Sequence, residues 1–209
     1  MLRYLKRIIR KYVIVKWKAF NFAQKVKYRK KIFVIVGAGR TRYEGWLATN
    51  KDFFDITNRN IFLKLLKNKK MSKVLAEHVF EHLSQKDLKN ALNNIYMFME
   101  IGGNLRVAVP DGFHKDKKYI DAVKPGGNGM GADDHKHLFT CQSLGNILKG
   151  VGFDIDMIEY WDENKNFHSC YQNDENGVIQ RAYMNDSRNF DRIPKFTSLI
   201  IDAVKKCDD

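Results

Sequence analysis

The sequence predicts an α/β domain, a mostly parallel sheet with helices on both faces, preceded by a basic helical arm. Three observations predict it. Apolar runs of strand formers alternate along the chain with segments whose apolar residues recur every three to four positions. The main strand-like runs are continuously apolar rather than alternating, as expected of strands buried on both faces. The charge is also divided unevenly. The 209 residues carry 37 Lys and Arg against 24 Asp and Glu, a formal charge of +13. Residues 1–31 hold twelve of the basic residues and no acidic one, so the remaining 178 residues are close to neutral. A hydrophobic content of 44% supports one globular domain with a core, residues 32–209, and excludes a disordered tail or a disulfide miniprotein.

In the arm, Leu2, Leu5, Ile9, Tyr12 or Val13, Trp17 and Phe20 recur at helical spacing, with Lys and Arg filling the other face. Such a helix suits an anionic membrane surface, and equally it could pack its apolar stripe on the domain. Basic residues interrupt every apolar stretch of the first thirty positions, so neither a secretory signal nor a membrane span is expected there. Cys141, Cys170 and Cys207 are widely spaced and odd in number. No disulfide framework is expected, and a cytoplasmic, reducing location is.

From residue 32 the period changes. Ile32-Phe-Val-Ile-Val36 reads as a buried parallel strand ending in the turn Gly37-Ala-Gly39. Gly45–Thr49 and Phe53–Ile56 are two short strand candidates, and Ile61–Leu66 reads as a helix behind Asn58 and Asn60 as caps. Val74–Ala76 is the next buried strand. Ser84 and Asp87 form a capping pattern for a helix striped by Leu88, Ala91, Leu92, Ile95 and Phe98, with Gly102-Gly103 as its end. Leu105–Val109 is a strand stopped by Pro110-Asp111-Gly112, and residues 112–135 read as a loop with Pro125 and four glycines between 126 and 131. A helix over Leu144–Val151 closes at Gly152. Phe153–Tyr160 and Ser198–Val204 read as the last two strands, separated by an insertion at about 162–195. Within it Asn176-Gly177 has the composition of a hairpin turn.

Several of these residues carry chemistry. A glycine turn after a buried strand lets a nucleotide approach the backbone, but Arg40-Thr-Arg42 replaces the third glycine of the dinucleotide fingerprint and disfavours NAD. His78-Val-Phe-Glu-His82 spells an inverted zinc-peptidase pattern. Its position at a strand-to-helix junction disfavours that reading and makes Glu81 and His82 capping or buried polar residues. Asp111 follows a strand end. Asp133, Asp134, His135 and His137 cluster on a loop too long for a mere connector. A histidine or carboxylate there could act as a general base, or the four could hold a divalent cation, the less favoured alternative.

Five segments in this order, VGAGRTRYEGW (36–46), LAEHVFEHL (75–83), GGNLRVAVPDG (102–112), GGNGMGADDHKH (126–137) and TSLIIDAVK (197–205), resemble class I S-adenosylmethionine-dependent methyltransferases. The likeness is nearest to a branch associated with glycan and polysaccharide methylation. It implies a Rossmann-like seven-stranded sheet with S-adenosyl-L-methionine as cofactor, held at the carboxyl ends of the first, second and fourth strands. By that resemblance Gly37, Ala38 and Gly39 face the methionine part of the donor, and Asn50 stands where an acid usually meets the ribose. Asp55 and Ile56 lie near the adenine, and Glu77 and His78 border the sulfonium. Ile35 replaces the usual acid before the glycine turn. Asp111, Asp134 and His135 are the catalytic candidates for methyl transfer to a sugar hydroxyl. Tyr160, Trp161, Phe167, His168, Tyr171 and Asn189 could meet a pyranose, or could pack the insertion onto the sheet. Two other functions compete. One is a nucleic-acid methyltransferase or binder using the arm, which the near-neutral body disfavours. The other is a non-catalytic, membrane-recruited glycan-binding module.

Overall fold

The computed structural model describes residues 2–189 and 191–206. Cys207 lies outside them, as do the side chains of residues 2–9 and Lys11. Helix α1 (Leu2–Tyr28) leads to strands β1 (Phe33–Val36) and β2 (Trp46–Ala48). Then come α2 (Arg59–Leu66), β3 (Met71–Glu77), α3 (Gln85–Phe98) and β4 (Met99–Pro110). The order ends with α4 (Lys117–Val123), α5 (Cys141–Val151), β5 (Phe153–Trp161), β6 (Phe167–Ser169) and β7 (Ser198–Lys205).

The strands form one seven-stranded sheet in the order β2-β1-β3-β4-β7-β5-β6. β1 to β5 run in one direction. β7 inserts antiparallel between β4 and β5, and β6 returns antiparallel along β5. The carboxyl ends of β1, β2, β3 and β4 therefore share one edge, where a ligand can approach them all.

Local chemistry starts and stops the helices. The Asn58 side chain accepts from the Asn60 N–H at the start of α2, and Ser84 Oγ accepts from the Asp87 N–H at the start of α3. Thr140 and Ser143 form a reciprocal capping box for α5, which Gly152 closes with φ 113°. Residues of α1, α2, α3 and α5 pack in one core with Val34, Val74, Leu105, Val107 and Leu199 of the sheet. Among the described residues, the opposite face does not carry the helices expected of it. There Ile35, Leu75, Ala108 and Ile200 pack against Tyr171, Ile179 and Ala182 of the irregular segment before β7.

Arg106 is the reason that a chain without helical structure can cover this face. It is buried in β4, and its guanidinium donates to the carboxylates of Asp202 (2.7 Å) and Asp174 (2.8 and 3.0 Å) and to the Gly177 carbonyl (2.7 Å). Asn176-Gly177 is thus an anchored turn and not the expected hairpin. The hairpin of this region is β5–β6, paired from Trp161 with Phe167 to Glu159 with Ser169.

Three further expectations are corrected. Phe53–Ile56 is not a strand. The Phe53 and Phe54 N–H groups donate to the Asn50 carbonyl, and Asp55 accepts from the Thr57 N–H and hydroxyl, so this backbone is satisfied by its own turns. Its apolar side chains are still buried, Phe54 between Phe22 and Phe62. Gly102-Gly103 do not end α3 but lie inside β4, at a register shift against β3. Gly102 has φ 74°, and a Cβ on Gly103 would meet Met99 Cγ at 2.5 Å. The segment 112–135 is not all loop, because α4 lies within it.

Helix α1 packs by its second half, with Phe22 and Val26 buried and Val15, Ala19 and Ala23 against the core. The expected stripe is not the one buried: Tyr12, Val13, Trp17 and Phe20 are exposed. No helix of the described residues is long and apolar enough to cross a membrane. Cys141 and Cys170 are free thiols.

Candidate active site

The glycine turn is the first component of the site. β1 is buried, and its chain must reverse at once at the sheet edge, so Gly37 and Gly39 take φ 59° and 52°. The end of β2 holds this turn. Ala38 N–H donates to the Thr49 carbonyl, and Gly39 N–H to Asn50 Oδ1, each at 2.8 Å. Asn50 therefore spends its oxygen on the glycine turn. Asp55 is bound up in its own turn, and Ile56 is buried in the core with its carbonyl accepting from Asn94. Among these residues, Gly37 and Ala38 line a small pocket of about 180 Å³ together with Thr41, Glu77, His78 and Gln180.

The end of β3 supplies the second component. Glu77 Oε1 accepts from the Arg181 N–H (2.8 Å), which draws the irregular segment over the pocket. His78 follows with φ 52°, a left-handed backbone that a histidine adopts at a cost. Its N–H donates to the Ala108 carbonyl (2.8 Å). Its ring lies between Ser198 Oγ, 3.3 Å from Nε2, and Glu81 Oε1, 3.1 Å from Nδ1.

Beyond His78 a larger cavity of about 690 Å³ opens, lined by Glu81, His82, Tyr119, His135, Arg181 and Phe196 among others. His78 and Arg181 line both spaces. The short 3-10 turn Phe80–His82 buries Glu81 and aims His82 at the loop after α4. That loop is tightly folded. A Cβ on Gly127 or Gly129 would come within 2.6 Å of the Ala122 carbonyl oxygen, so the glycines permit close packing against α4. The loop presents His135, whose Nδ1 lies 2.6 Å from the Val123 carbonyl and whose ring meets His82 edge-on at 4.7 Å.

The sequence candidates thus divide. His135 lines the large cavity. Asp134 is exposed, paired with Lys136 (3.0 Å) and 3.6 Å from His82 Nδ1. Asp133 is exposed, and His137 stacks on Phe139 at 5.0 Å; neither lines the cavity. Asp111 is fully buried and off the cavity. Its two oxygens accept from the Phe113 (2.8 Å) and Trp161 (2.7 Å) N–H groups, and burial holds its carboxyl up at about 6. Of the aromatic and amide candidates in the insertion, none lines the cavity. Trp161 is buried with its indole N–H on Thr197 Oγ1, Phe167 packs on Trp161, and Tyr171 donates to Asn173. Tyr160 stacks on His168, and Asn189 bridges Tyr183 and Phe196. Sequence reasoning passed over Glu81 and His82 as site residues, although the HxxEH spacing was the signal that singled them out.

No protein-family model matches the chain, and no curated protein is similar to it. Solved structures do resemble it. One is a SAM-dependent methyltransferase from Archaeoglobus fulgidus, 19% identical, covering 91% of this chain and 94% of that one at a TM-score of 0.49. Another is a SAM-dependent methyltransferase of Thermotoga maritima, described as a possible histamine N-methyltransferase. It is 14% identical, covering 98% and 97% at a TM-score of 0.47. The CurJ carbon methyltransferase is 12% identical, and the match covers 86% of this chain and 49% of that one at a TM-score of 0.50. At such identities the likeness is one of fold alone: the sheet order and the match at a TM-score of 0.50 give this chain a Rossmann-like fold of the kind that methyltransferase has.

Proposed function

We propose that the chain is an S-adenosylmethionine-dependent O-methyltransferase that acts on a sugar hydroxyl of a glycan or polysaccharide. The observation that carries this reading is the pair of adjoining spaces at the sheet edge, one beside a glycine turn and the other large, with charged groups set in a mainly apolar wall, and with His78 and Arg181 in the wall of both. The small pocket suits the amino-acid end of the donor. Its Gly37 already has no room for a Cβ, which would lie 2.5 Å from Val79 Cγ2. Gly37, Ala38 and Glu77 would hold the amino-acid end, and Asn50 would act one step removed by fixing the turn. Bound there, the donor would supply a methyl group on a positively charged sulfur.

The acceptor belongs in the larger space, whose Tyr119 and Phe196 offer ring surface and whose Asp116, Lys118 and Arg188 offer hydrogen bonds to hydroxyls. In the transfer, the acceptor oxygen bonds to the methyl carbon while the carbon–sulfur bond breaks with its electron pair on sulfur. The acceptor proton must leave, and positioning supplies much of the acceleration. The group Glu81, His82 and His135 would face that proton. In His135 the Val123 carbonyl occupies Nδ1, which leaves the Nε2 lone pair to take the proton when no ion is bound there. A cytoplasmic location, with α1 against an anionic membrane surface, completes the reading. The exposed Trp17 and Phe20 on a helix without acidic residues support it.

Calorimetry with S-adenosylmethionine and its demethylated product tests the donor site, and mass spectrometry of a glycan panel for the gain of one methyl tests the acceptor. Gly37→Leu should abolish donor binding, while donor addition raises the melting temperature of the unaltered chain. A folded Gly37→Leu protein with undiminished donor affinity would sink the site assignment.

A further inference from the structure

We propose that Glu81, His82 and His135 form a binding site for a divalent transition-metal ion such as zinc, cobalt or manganese. Ion binding stands on these side chains alone; a part in methyl transfer would rest on the function proposed above. One ligand atom from each of the three lies within 4.8 Å of the other two.

Glu81 is fully buried, and neither of its carboxylate oxygens accepts a hydrogen bond among the described residues. His78 Nδ1 is 3.1 Å from Oε1, but outside hydrogen-bonding geometry. A carboxylate withdrawn from water without donors is costly, and a cation offsets that cost. His135 is already oriented as a ligand. A carbonyl can only accept, so Nδ1, 2.6 Å from the Val123 oxygen, carries the proton and Nε2 keeps its lone pair. His82 Nδ1 lies 3.6 Å from the exposed Asp134 carboxylate, beyond hydrogen-bond distance. A backbone carbonyl on the far ring nitrogen, as at His135, is a usual support of a metal-binding histidine.

The three residues line the 690 Å³ cavity, so a bound ion would keep coordination positions open for water or an acceptor oxygen. Two imidazoles with one carboxylate suit first-row transition ions, whereas magnesium and calcium prefer oxygen ligands throughout. Ligands about 2.1 Å from a shared ion sit closer together than the present spacing, so the ion would draw them inward. His82, with a third of its side chain exposed (32%), has the freedom to move.

The test uses the full-length chain, stripped with EDTA and dialysed against zinc or cobalt. Metal content by atomic emission and the visible spectrum of the cobalt form are the readouts. One ion per chain should be retained in the presence of excess magnesium and calcium. Glu81→Gln and His82→Gln should each weaken it by at least about 100-fold, the upper end of what losing a supporting contact costs. His168→Gln, at the exposed pair with Asp162, should leave it unchanged. Circular dichroism checks that each variant is folded, and His82→Gln at a partly exposed position guards against loss of fold in Glu81→Gln. No retained ion, or unchanged affinity in either folded variant, would overturn the site. Calorimetry with S-adenosylmethionine runs in parallel. Donor binding without an ion refutes only the metal site, and an ion without donor binding refutes only the proposed function.

Discussion

Burial holds two carboxyls above their ordinary range, Asp111 at about 6 and Glu159 at about 7. Backbone N–H groups pull both back down without cancelling the desolvation: Trp161 and Phe113 on Asp111, and Tyr183 on Glu159. The folded chain therefore binds these two protons more tightly than the unfolded chain does. The stability they contribute is complete below about pH 4 and is lost as the pH rises through about 6 to 7. Each is on the order of 3 kcal/mol by the size of its shift. His114, which burial lowers, works in the opposite sense around its ordinary value of about 6.5. Two carboxyls outweigh one imidazole. The melting temperature should fall between pH 5 and pH 8, and Glu159→Gln should flatten that slope by about half. A melting temperature that rises across the range would contradict the burial argument. Asp111 shows why a residue after a strand end can mislead. Its place in the sequence suited a catalytic base, but which donors its oxygens meet depends on β5, about fifty residues later.

At the scale of elements, the covering of the second sheet face rests on Arg106. Asp202 and Asp174 hold its guanidinium charged well above the ordinary arginine range, and Asp202 is itself nearly buried. Arg106→Leu would leave Asp202 in the interior without its cation, at a cost of about 3–5 kcal/mol. For a chain of this size that predicts a melting temperature about 10 °C lower. Limited proteolysis should then cut first within 170–182, the segment that Arg106 anchors; cleavage elsewhere first would mean that the anchor lies in another contact. β1, β3, β4 and β7 were legible because continuous apolar runs admit few other readings, and α2, α3 and α5 because capping side chains mark their starts and, for α5, Gly152 marks its end. Phe53–Ile56 and β6 were not. Apolar content reports burial, and at Phe53–Ile56 local turns around Asn50 and Asp55 decide the backbone. A buried arginine inside the run Leu105–Val109 was a readable demand for distant acids, but the sequence does not say which ones.

Over the whole molecule, net positive charge is concentrated on and just after α1, which also carries half of the exposed large hydrophobic residues among those described. At 100° per residue, Val13, Trp17 and Phe20 share one side of the helix, opposite the stripe of Val15, Ala19, Phe22 and Val26 that meets the core. The helix is therefore two-faced: one side belongs to the domain, and the other offers aromatic and basic groups outward. We propose that this outer side meets an anionic membrane, where each Lys or Arg near the surface contributes about 1 kcal/mol. Full-length protein should sediment with vesicles containing phosphatidylglycerol and not with neutral phosphatidylcholine, and raised salt should release it. Deleting residues 1–13 removes five of the twelve basic residues without touching Phe22 or Val26, so attachment should fall while the melting temperature holds. Deleting residues 1–31 is a different experiment. It takes Phe22 away from Phe53 and Phe54, and a lost core phenylalanine alone costs about 3–5 kcal/mol. If the shorter deletion lowers the melting temperature as much as the longer one, the first half of α1 is part of the fold. If Trp17→Ala with Phe20→Ala leaves sedimentation unchanged, the outward face is not what the membrane holds.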